Sequence, residues 1–528
     1  VRAGPTRDKE RRPGRISAVF KALVLLLLMG GTAYGMLNKG LYGDELWLPV
    51  AAAAFALLLV TIFIRGFYED VPPVGWALVA LLGVLVTIKG LSMIWTISEA
   101  ETVRELLRSS MYLAVFLMPL GALTSSRQVG PLLDTSVLIV VAVAGYGLLQ
   151  KIEPEGYPVG SLDEVRVDST LGYANTAAVV IAMGAVLALA RMAQMRSPLG
   201  RGLYAVFVAG FLAALFLTGS RGGIASLGLG LVVLFALGGG RLQMGANLLF
   251  AALPVGWLLW EIRKLDGLLQ ANVPKAQKAA DGVAFRDDLF IAFAVAFALQ
   301  GAYSLVIRRY ELTPLGRRAL GAAALVPLLL AIGIGMFALF ERYGGVGETY
   351  QELVNNPAQT ENMGKRLASL SIGYRQSYWE VGWESWKENP LTGTGAGTFQ
   401  YVWLENRPGD QGVKQVHNLY LEQGVETGVF AFLALLGFCG LLAGYTARAA
   451  WRSDPEAERR LLLAGLVAAI SIYLISSAIE WHWYIPPSTM FFFILSAFAA
   501  KLAAREEWGA VKEPWPQEND SAGARRQG

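Results

Sequence analysis

Residues 20–37 read FKALVLLLLMGGTAYGML, an apolar run with one lysine near its start and small residues scattered through its second half. As a helix the run extends about 27 Å, close to the ~30 Å hydrocarbon core of a bilayer. It lacks the apolar–polar alternation of a barrel strand. Runs of the same kind begin near Phe20, Trp47, Val74, Met111, Ser136, Tyr173, Leu203, Gly223, Gly245, Leu289, Leu320, Val429, Leu461 and Tyr484. Of the 528 residues, 54% are hydrophobic and 16% charged, more apolar than a soluble core of this length requires. The expected fold class is all-α, a polytopic transmembrane bundle of about 12–14 helices with one long extracytoplasmic helical loop.

Orientation follows from the basic residues. Arg2, Arg7, Lys9, Arg11, Arg12 and Arg15 precede the first run, and the positive-inside rule puts that end in the cytoplasm. Counting spans from there places Arg191, Arg196 and Arg201 inside, then Arg241, then Arg308, Arg309, Arg317 and Arg318. Arg448, Arg452, Arg459, Arg460, Lys501 and Arg505 fall on the same side. The first run continues past the length of a signal-peptide core, so it reads as a retained helix. The expected organisation is a basic cytoplasmic tail at 1–18, helices 1–11 over 19–341 and a periplasmic loop at 342–427. Helices 12–14 then occupy 428–503, and the polar stretch 504–528 is expected to be a disordered cytoplasmic tail. That organisation is one of a multi-pass membrane protein whose long loop faces away from the cytoplasm.

Several classes are disfavoured at once. The single cysteine, Cys439, lies inside a span and excludes an internal disulfide or a cysteine-based metal site. A net charge of +4 says little about partners, and nucleic-acid binding has no support beyond basic loops that topology explains. No period of solenoid length is visible.

Three external segments are long: 151–172, 263–288 and 342–427. The last carries Tyr350, Tyr374, Tyr378, Trp379, Trp383, Trp386, Phe399, Tyr401 and Trp403, an aromatic density that needs a packed or interfacial setting. The pattern predicts a helix over Ile372–Lys387, with Arg375, Trp379 and Trp383 on one face. It stops at 388–399, ENPLTGTGAGTF, where Gly393, Gly395 and Gly397 permit a backbone close to phosphate. The turn lacks the Lys-Ser/Thr ending of a P-loop, so a plain turn between two amphipathic helices on the membrane surface stands beside the phosphate reading.

Arg221, in FLTGSRGGIAS at 216–226, falls at an external end between two spans with almost no loop. A charge at that depth marks a functional path or snorkels to headgroups. One of only two histidines, His417, stands in QVHNLYLEQGVETG at 415–428. Helical spacing aligns His417 with Leu421, Gly424 and Gly428, a small-residue stripe suited to close packing. Asn418 and Glu422 form the neighbouring pair, with Glu422 a capping or structural group and a poor same-helix partner for the imidazole. The second histidine, His482, lies in AIEWHWYIPP at 478–487 among Trp481, Trp483 and Tyr484. An aromatic belt is the simpler reading there, with Glu480 and His482 as secondary site candidates. Ligands are too few for zinc, and no G-x-S-x-G elbow is present. What remains is one neutral-pH base, His417, and two fixed cations, Arg221 and Arg375. That set suits deprotonation of a hydroxyl while arginine holds a phosphate leaving group.

These residues resemble the O-antigen ligase and O-antigen polymerase superfamily. The resemblance is carried by LTGSRGG at 217–223, GYRQSYWEVGWESWKENPLTGTGAGTF at 373–399 and HNLYLEQGVETGVFAFL at 417–433, with STLGYANTAAVVIAMG at 169–184 and WTISEAETVRELL at 95–107 in support. It implies a glycosyltransferase without metal or cofactor that takes a glycan from an undecaprenyl-diphosphate carrier. The glycan passes, with inversion, to lipid A-core, to another lipid-linked glycan or to protein. By the resemblance Arg221 and Arg375 bind diphosphate and His417 is the general base. Asn418, Gly393, Gly395, Gly397, Trp379, Asn175 and Arg166 are the expected substrate contacts. The implied partners are the donor lipid, a glycan or lipid A-core acceptor and the bilayer, with no nucleic acid.

The span count exceeds that usual for the ligases, no tetratricopeptide-like repeat is present, and the motifs do not separate ligase from polymerase. A transporter or flippase for lipid-linked sugars is the alternative from another class, and calls for charges near the midplane and inverted repeats. A peptidoglycan polymerase of the shape, elongation and division type would need a loop carboxylate, for which Glu348, Glu352 and Glu361 are candidates.

Overall fold

A chain in hydrocarbon must close its backbone hydrogen bonds within each crossing segment, and every apolar run that is described does so as a helix. The computed structural model describes residues 15–160, 165–307, 344–355, 362–369, 371–454 and 457–504, with isolated positions between 316 and 342. Among them are eighteen α-helices and no strand. In chain order the first are α1 (Arg15–Leu37), α2 (Asp44–Phe63), α3 (Pro73–Leu91), α4 (Glu99–Ala122), α5 (Val129–Ile152) and α6 (Ala174–Gln194). Next come α7 (Pro198–Leu217), α8 (Arg221–Leu237), α9 (Arg241–Ile262), α10 (Asp266–Leu269), α11 (Lys275–Val306) and α12 (Val346–Asn355). The last six are α13 (Met363–Ala368), α14 (Arg375–Glu388), α15 (Phe399–Asn406), α16 (Leu419–Arg452), α17 (Glu458–Ser476) and α18 (Pro486–Ala503).

Eleven of these helices are long and apolar enough to cross a membrane, and each contains one of the expected starts or begins within two residues of it. Two further expected runs miss those length and composition criteria but still reach from one end of the bundle to the other. In α4 Thr102 bonds Ala396 while Leu120 O accepts from Lys501, and α8 runs from Arg221 to Leu237, whose carbonyl accepts from Arg460. The run near Met111 is α4, whose first three turns carry Glu99, Glu101, Arg104, Glu105 and Arg108, while that near Gly223 is α8, only 17 residues long. The span expected near Leu320 lies outside the described residues, as do Arg308, Arg309, Arg317, Arg318, Glu361 and both chain ends.

Helices α6, α17 and α18 form the centre, with α18 buried along its whole apolar length. Close approach there depends on missing side chains: Gly184 meets Val140, Gly465 meets Ala190 and Gly230 meets Ile472. Basic residues collect at one end of the bundle, on the carbonyl ends of helices, where the macrodipole favours cations. Arg460 donates to Leu237 O at 2.7 Å, Arg459 to Ala503 O at 2.9 Å and Lys501 to Leu120 O at 3.0 Å. His417, Arg375, Arg221 and the 477–485 connection occupy the opposite end.

Two boundaries differ from the expected ones. Helix α11 starts at Lys275, well before Leu289, and α16 starts at Leu419, ahead of the run that begins at Val429. The extra two turns of α16 are set off by Gly428, whose φ of 74° and ψ of −176° break the helix. The freed backbone groups are taken by the loop: Val429 N donates to Pro390 O at 2.9 Å, Thr394 N to Val425 O at 3.1 Å and Gly395 N to Glu426 O at 2.8 Å. A Cβ on residue 428 would lie 2.0 Å from the Leu391 carbonyl oxygen. Gly428→Ala is therefore expected to cost at least ~2 kcal/mol and to reduce the monodisperse fraction and melting temperature of purified protein. Unchanged melting would remove the break as a structural requirement.

Candidate active site

The site is built on the start of α16. Asn418 is the N-cap, its side chain accepting from Tyr420 N and Leu421 N, both at 3.1 Å. Leu419 N, also unpaired within the helix, donates to Ser477 O at 2.8 Å and ties the helix start to the 477–485 connection. His417 precedes the cap with φ +59°, so it is outside the helix, and the expected His417–Leu421–Gly424–Gly428 line fails at its first member. The two glycines of that line do serve close packing, Gly424 against the Trp386 indole and Gly428 against Leu391. The His417 ring lies between Tyr378 and Trp481, with centroids 5.4 and 6.1 Å away. Its Nδ1 is 3.2 Å from the Gln415 carbonyl, an acceptor only, so Nδ1 carries the proton and Nε2 keeps the lone pair.

Arg375 opens α14. Its Nε donates to Ile479 O at 2.7 Å, Nη1 to Ile372 O at 3.0 Å and Nη2 to the Glu480 carboxylate. Glu480, only 4% exposed, also accepts from Tyr173 Oη at 2.7 Å and Asn175 Nδ2 at 2.6 Å. Asn175 Oδ1 in turn accepts from Arg166, whose Nε donates to Thr218 O at 2.7 Å. A continuous hydrogen-bonded chain thus runs from Arg166 through Asn175 and Glu480 to Arg375. Burial pushes the Glu480 carboxyl up, but Arg375, the two histidines and Tyr173 outweigh it and leave it below its ordinary value. For His417, burial and then the Arg375 charge lower the imidazole to about 4, against a smaller pull from Glu480. The ring is neutral at physiological pH.

Glu480 is thus the hub of the site, a weight its sequence context did not give it. His482 is fully buried, with Nδ1 2.8 Å from Thr176 Oγ1 and Nε2 2.7 Å from Ser476 Oγ, so both ring nitrogens are taken. Trp481 packs its ring on Tyr173 and Tyr42, with centroids 4.8 and 5.6 Å away, and is part of the site's wall. In front of His417 a cavity of about 570 Å³ opens between that aromatic wall and Gln400, Lys414 and Gln415.

Arg221 is placed otherwise than expected. It is the first residue of α8, where the macrodipole disfavours a cation, and carbonyls compensate. Its Nη2 donates to Ser371 O at 2.7 Å and Nη1 to Arg366 O at 3.3 Å, with a further bond to Ser369 O. Arg221 therefore tethers the segment leading into Arg375 and lines no wall of the cavity. Arg221→Ala is expected to loosen residues 363–371, read as faster protease cleavage there than in wild type. Equal cleavage would show that the tether is dispensable.

The glycine turn is a correction too. Gly397 N donates to Glu426 Oε2 at 2.8 Å and Phe399 N to Glu426 Oε1 at 3.2 Å, while Gly395 N and Ala396 N go to Glu426 O and Ser92 Oγ. The turn cradles an anion, but the anion is the chain's own Glu426. Gly393, Gly395 and Gly397 have positive φ and no room for a Cβ, the second because Thr96 Oγ1 would lie 2.1 Å away. The motif at 95–107 supplies that contact, with Trp95 Nε1 donating to Thr392 O at 3.1 Å and Thr102 Oγ1 to Ala396 O at 2.8 Å.

Glu422 accepts from Tyr484 Oη at 2.8 Å and belongs to a separate buried group with Lys89, Glu105, Arg108 and Glu426. Trp379 packs against the cluster of Tyr378, Phe399, Val402, Trp403, Val416 and Val425. Among the described residues no three His, Cys, Asp or Glu side chains converge as a metal site.

Residues 289–436 match the model of the family described as O-antigen ligase. Comparison with curated proteins gives no match. The matched segment contains Arg375, the glycine turn and His417, so this part of the chain is similar to the O-antigen ligase family, within a chain whose described residues include eleven helices long and apolar enough to cross a membrane.

Proposed function

We propose that the chain is an inverting, metal-independent glycosyltransferase that moves a glycan from an undecaprenyl-diphosphate carrier to an acceptor hydroxyl, on the outer face of the bacterial cytoplasmic membrane. The observation that carries this reading is a neutral imidazole lining a cavity, with its Nε2 lone pair available and the Arg375 charge near enough to act on it. In the proposed step His417 Nε2 takes the acceptor O–H proton and the oxygen attacks the anomeric carbon. The bond from that carbon to the diphosphate oxygen breaks, and the electron pair leaves with the carrier.

Arg375 neutralises the leaving diphosphate. Tyr173 and Asn175 keep Glu480 in place, and Glu480 keeps Arg375 aimed. Arg221 acts through the 366–371 segment as a positioning residue. The outward assignment is supported by the basic residues gathered at the far end of the bundle. Ligase and polymerase activity share this chemistry and differ in acceptor. Of the carboxylates that a peptidoglycan-polymerase reading would use, Glu348 and Glu352 sit on α12 and do not line the cavity.

The test is reconstitution in proteoliposomes with an undecaprenyl-diphosphate-linked glycan and separate candidate acceptors, in EDTA. Wild type is compared with His417→Ala, Arg375→Ala and Arg221→Ala. Transfer in EDTA that collapses in the first two variants is expected. A requirement for divalent metal, or full turnover by His417→Ala at saturating acceptor, would falsify the mechanism. Donor flipping without transfer in the same vesicles would establish the transporter reading instead.

A further inference from the structure

Five ionisable side chains meet in the packed interior between α3, α4 and the first turns of α16, and none of them lines the cavity in front of His417. They are Lys89, Glu105, Arg108, Glu422 and Glu426, none more than 8% exposed. Charges buried inside a helix bundle are costly unless they balance. Two cations against three carboxylates leave one negative charge over.

The hydrogen bonds show which carboxylate is the odd one. Glu105 is held by both cations, with Lys89 Nζ 3.3 Å from its Oε2 and Arg108 Nη1 on its Oε1. Glu426 takes one N–H on each oxygen, from Gly397 and Phe399, and Lys89 and Arg108 are near enough to act on its charge. Both are met by donors alone, as an ionised carboxylate requires. Glu422 is placed differently. Its Oε1 accepts from Tyr484 Oη at 2.8 Å, while its Oε2 has no hydrogen-bond partner. The Val416 N–H faces this carboxyl without reaching Oε2 in bonding geometry. Neither cation bonds it: the Arg108 guanidinium lies over the Trp47 and Tyr484 rings at 5.1 and 5.0 Å, and Lys89 Nζ over Trp483 at 5.2 Å. Glu422 and Glu426 also stand one turn apart on one helix, where two like charges repel. Left ionised, the free oxygen would forfeit the solvation of a charge, whereas a protonated one forfeits only that of a hydroxyl. One proton on Glu422 removes the excess charge of the whole group.

We infer that Glu422 is a proton-binding site, a neutral carboxylic acid in the folded protein, and that release of its proton loosens the helix start behind His417. The groups that face the site are Lys89 on α3, Glu105 and Arg108 on α4, Glu426 on α16 and Tyr484 in the 477–485 connection. Ionised Glu422 repels Glu426, whose carboxylate holds the glycine turn, and it does so one turn beyond the Asn418 cap that His417 precedes. The proton is independent of the transferase reading; an effect on transfer rests on that reading.

The experiment is infrared spectroscopy of the full-length protein at neutral pH in a detergent free of ester groups, beside melting curves against pH. Wild type is expected to show a carboxylic-acid C=O band that moves on transfer to D2O, and Glu422→Gln to lack that band. Glutamine reproduces the protonated acid, with an oxygen for Tyr484 and an N–H2 in place of the O–H. Glu422→Gln is therefore expected to melt no lower than wild type. Glu426→Gln is the contrast, because its N–H2 must face the Gly397 or the Phe399 N–H, and it is expected to melt lower. The folded chain keeps a proton that the unfolded chain releases, so between about pH 5 and 8 the wild-type melting temperature should fall more steeply than that of Glu422→Gln. In the proteoliposome assay wild type should lose about tenfold in transfer per pH unit beyond the point of release, the slope of one proton, while Glu422→Gln holds its rate to higher pH. The inference is overturned if the band is the same in wild type and Glu422→Gln, if Glu422→Gln melts as low as Glu426→Gln, or if the two pH curves run parallel. The expected band and melting without any glycan transfer by wild type would remove the transferase reading and leave the proton site standing.

Discussion

Substituting His417 is expected to lower kcat by ~10²–10⁴ with little change in donor KM, the usual loss when a general base is removed. Two variants separate chemistry from folding. His417→Ala places an alanine at φ +59°, where L-residues are strained, whereas asparagine tolerates that conformation. His417→Asn should therefore fold as wild type and transfer as poorly as alanine. If His417→Asn turns over at the wild-type rate, the imidazole is not the base.

The pH profile gives an independent reading. Only the neutral ring can accept a proton, and burial beside Arg375 lowers His417 to about 4 in the donor-free protein. The kcat/KM profile should then stay flat from roughly pH 5 to 8 and fall as pH drops toward that value, in place of a break near the ordinary ~6.5. Bound diphosphate brings negative charge toward the ring, so the acidic limb of kcat should lie higher than that of kcat/KM. Coincident limbs would show that the diphosphate is not beside His417.

Arg375→Ala is expected to produce the second large effect, in two parts. Removing the guanidinium leaves Glu480 buried with only Tyr173 and Asn175 as partners, and an uncompensated buried charge costs ~3–5 kcal/mol. The charge on the leaving group also loses its counter-ion, for which a further ~10²–10³ in kcat is the scale. A double variant divides the two. Arg375→Ala with Glu480→Gln has no carboxylate left uncompensated at position 480, so its melting temperature should recover while transfer stays low. Recovery of transfer with stability would make Arg375 a purely structural partner of Glu480. Arg375→Lys is not conservative here, because one ammonium cannot reach Ile479 O, Ile372 O and Glu480 in the planar fork that Arg375 uses.

The membrane fold was legible because span length and apolarity are local properties of the chain. Eleven expected starts correspond to candidate spans, and in α4 and α8 the acidic and basic residues or the shorter run weaken that local signal although both helices join the two ends of the bundle. His417 and Arg375 were legible as rare or charged groups at an external end; His417 lines the cavity, and Arg375 is close enough to shift its titration. Glu480 was underweighted because its partners Tyr173, Asn175 and Arg375 are over 100 to over 300 positions away in sequence. Tyr42 gave no signal at all, since nothing in its neighbourhood shows that a turn with positive φ at Lys39, Gly40 and Leu41 will press it against Trp481. The glycine turn was misread for a related reason. Its composition announces an anion-binding backbone, but the anion is supplied from α16, 29 residues on.

The break at Gly428 has a mechanical meaning for the membrane. Residues 419–427 are bonded to the loop through Thr394 and Gly395, so they behave as an appendage of the loop and not as the upper end of a transmembrane rod. Helices tilt to match the thickness of the surrounding hydrocarbon. In α16 such a tilt can turn about Gly428 and leave the spacing between His417 and Arg375 undisturbed. Turnover is therefore expected to vary little between proteoliposomes of thin and of thick lipids, and a strong dependence on thickness would show that α16 moves as one rod.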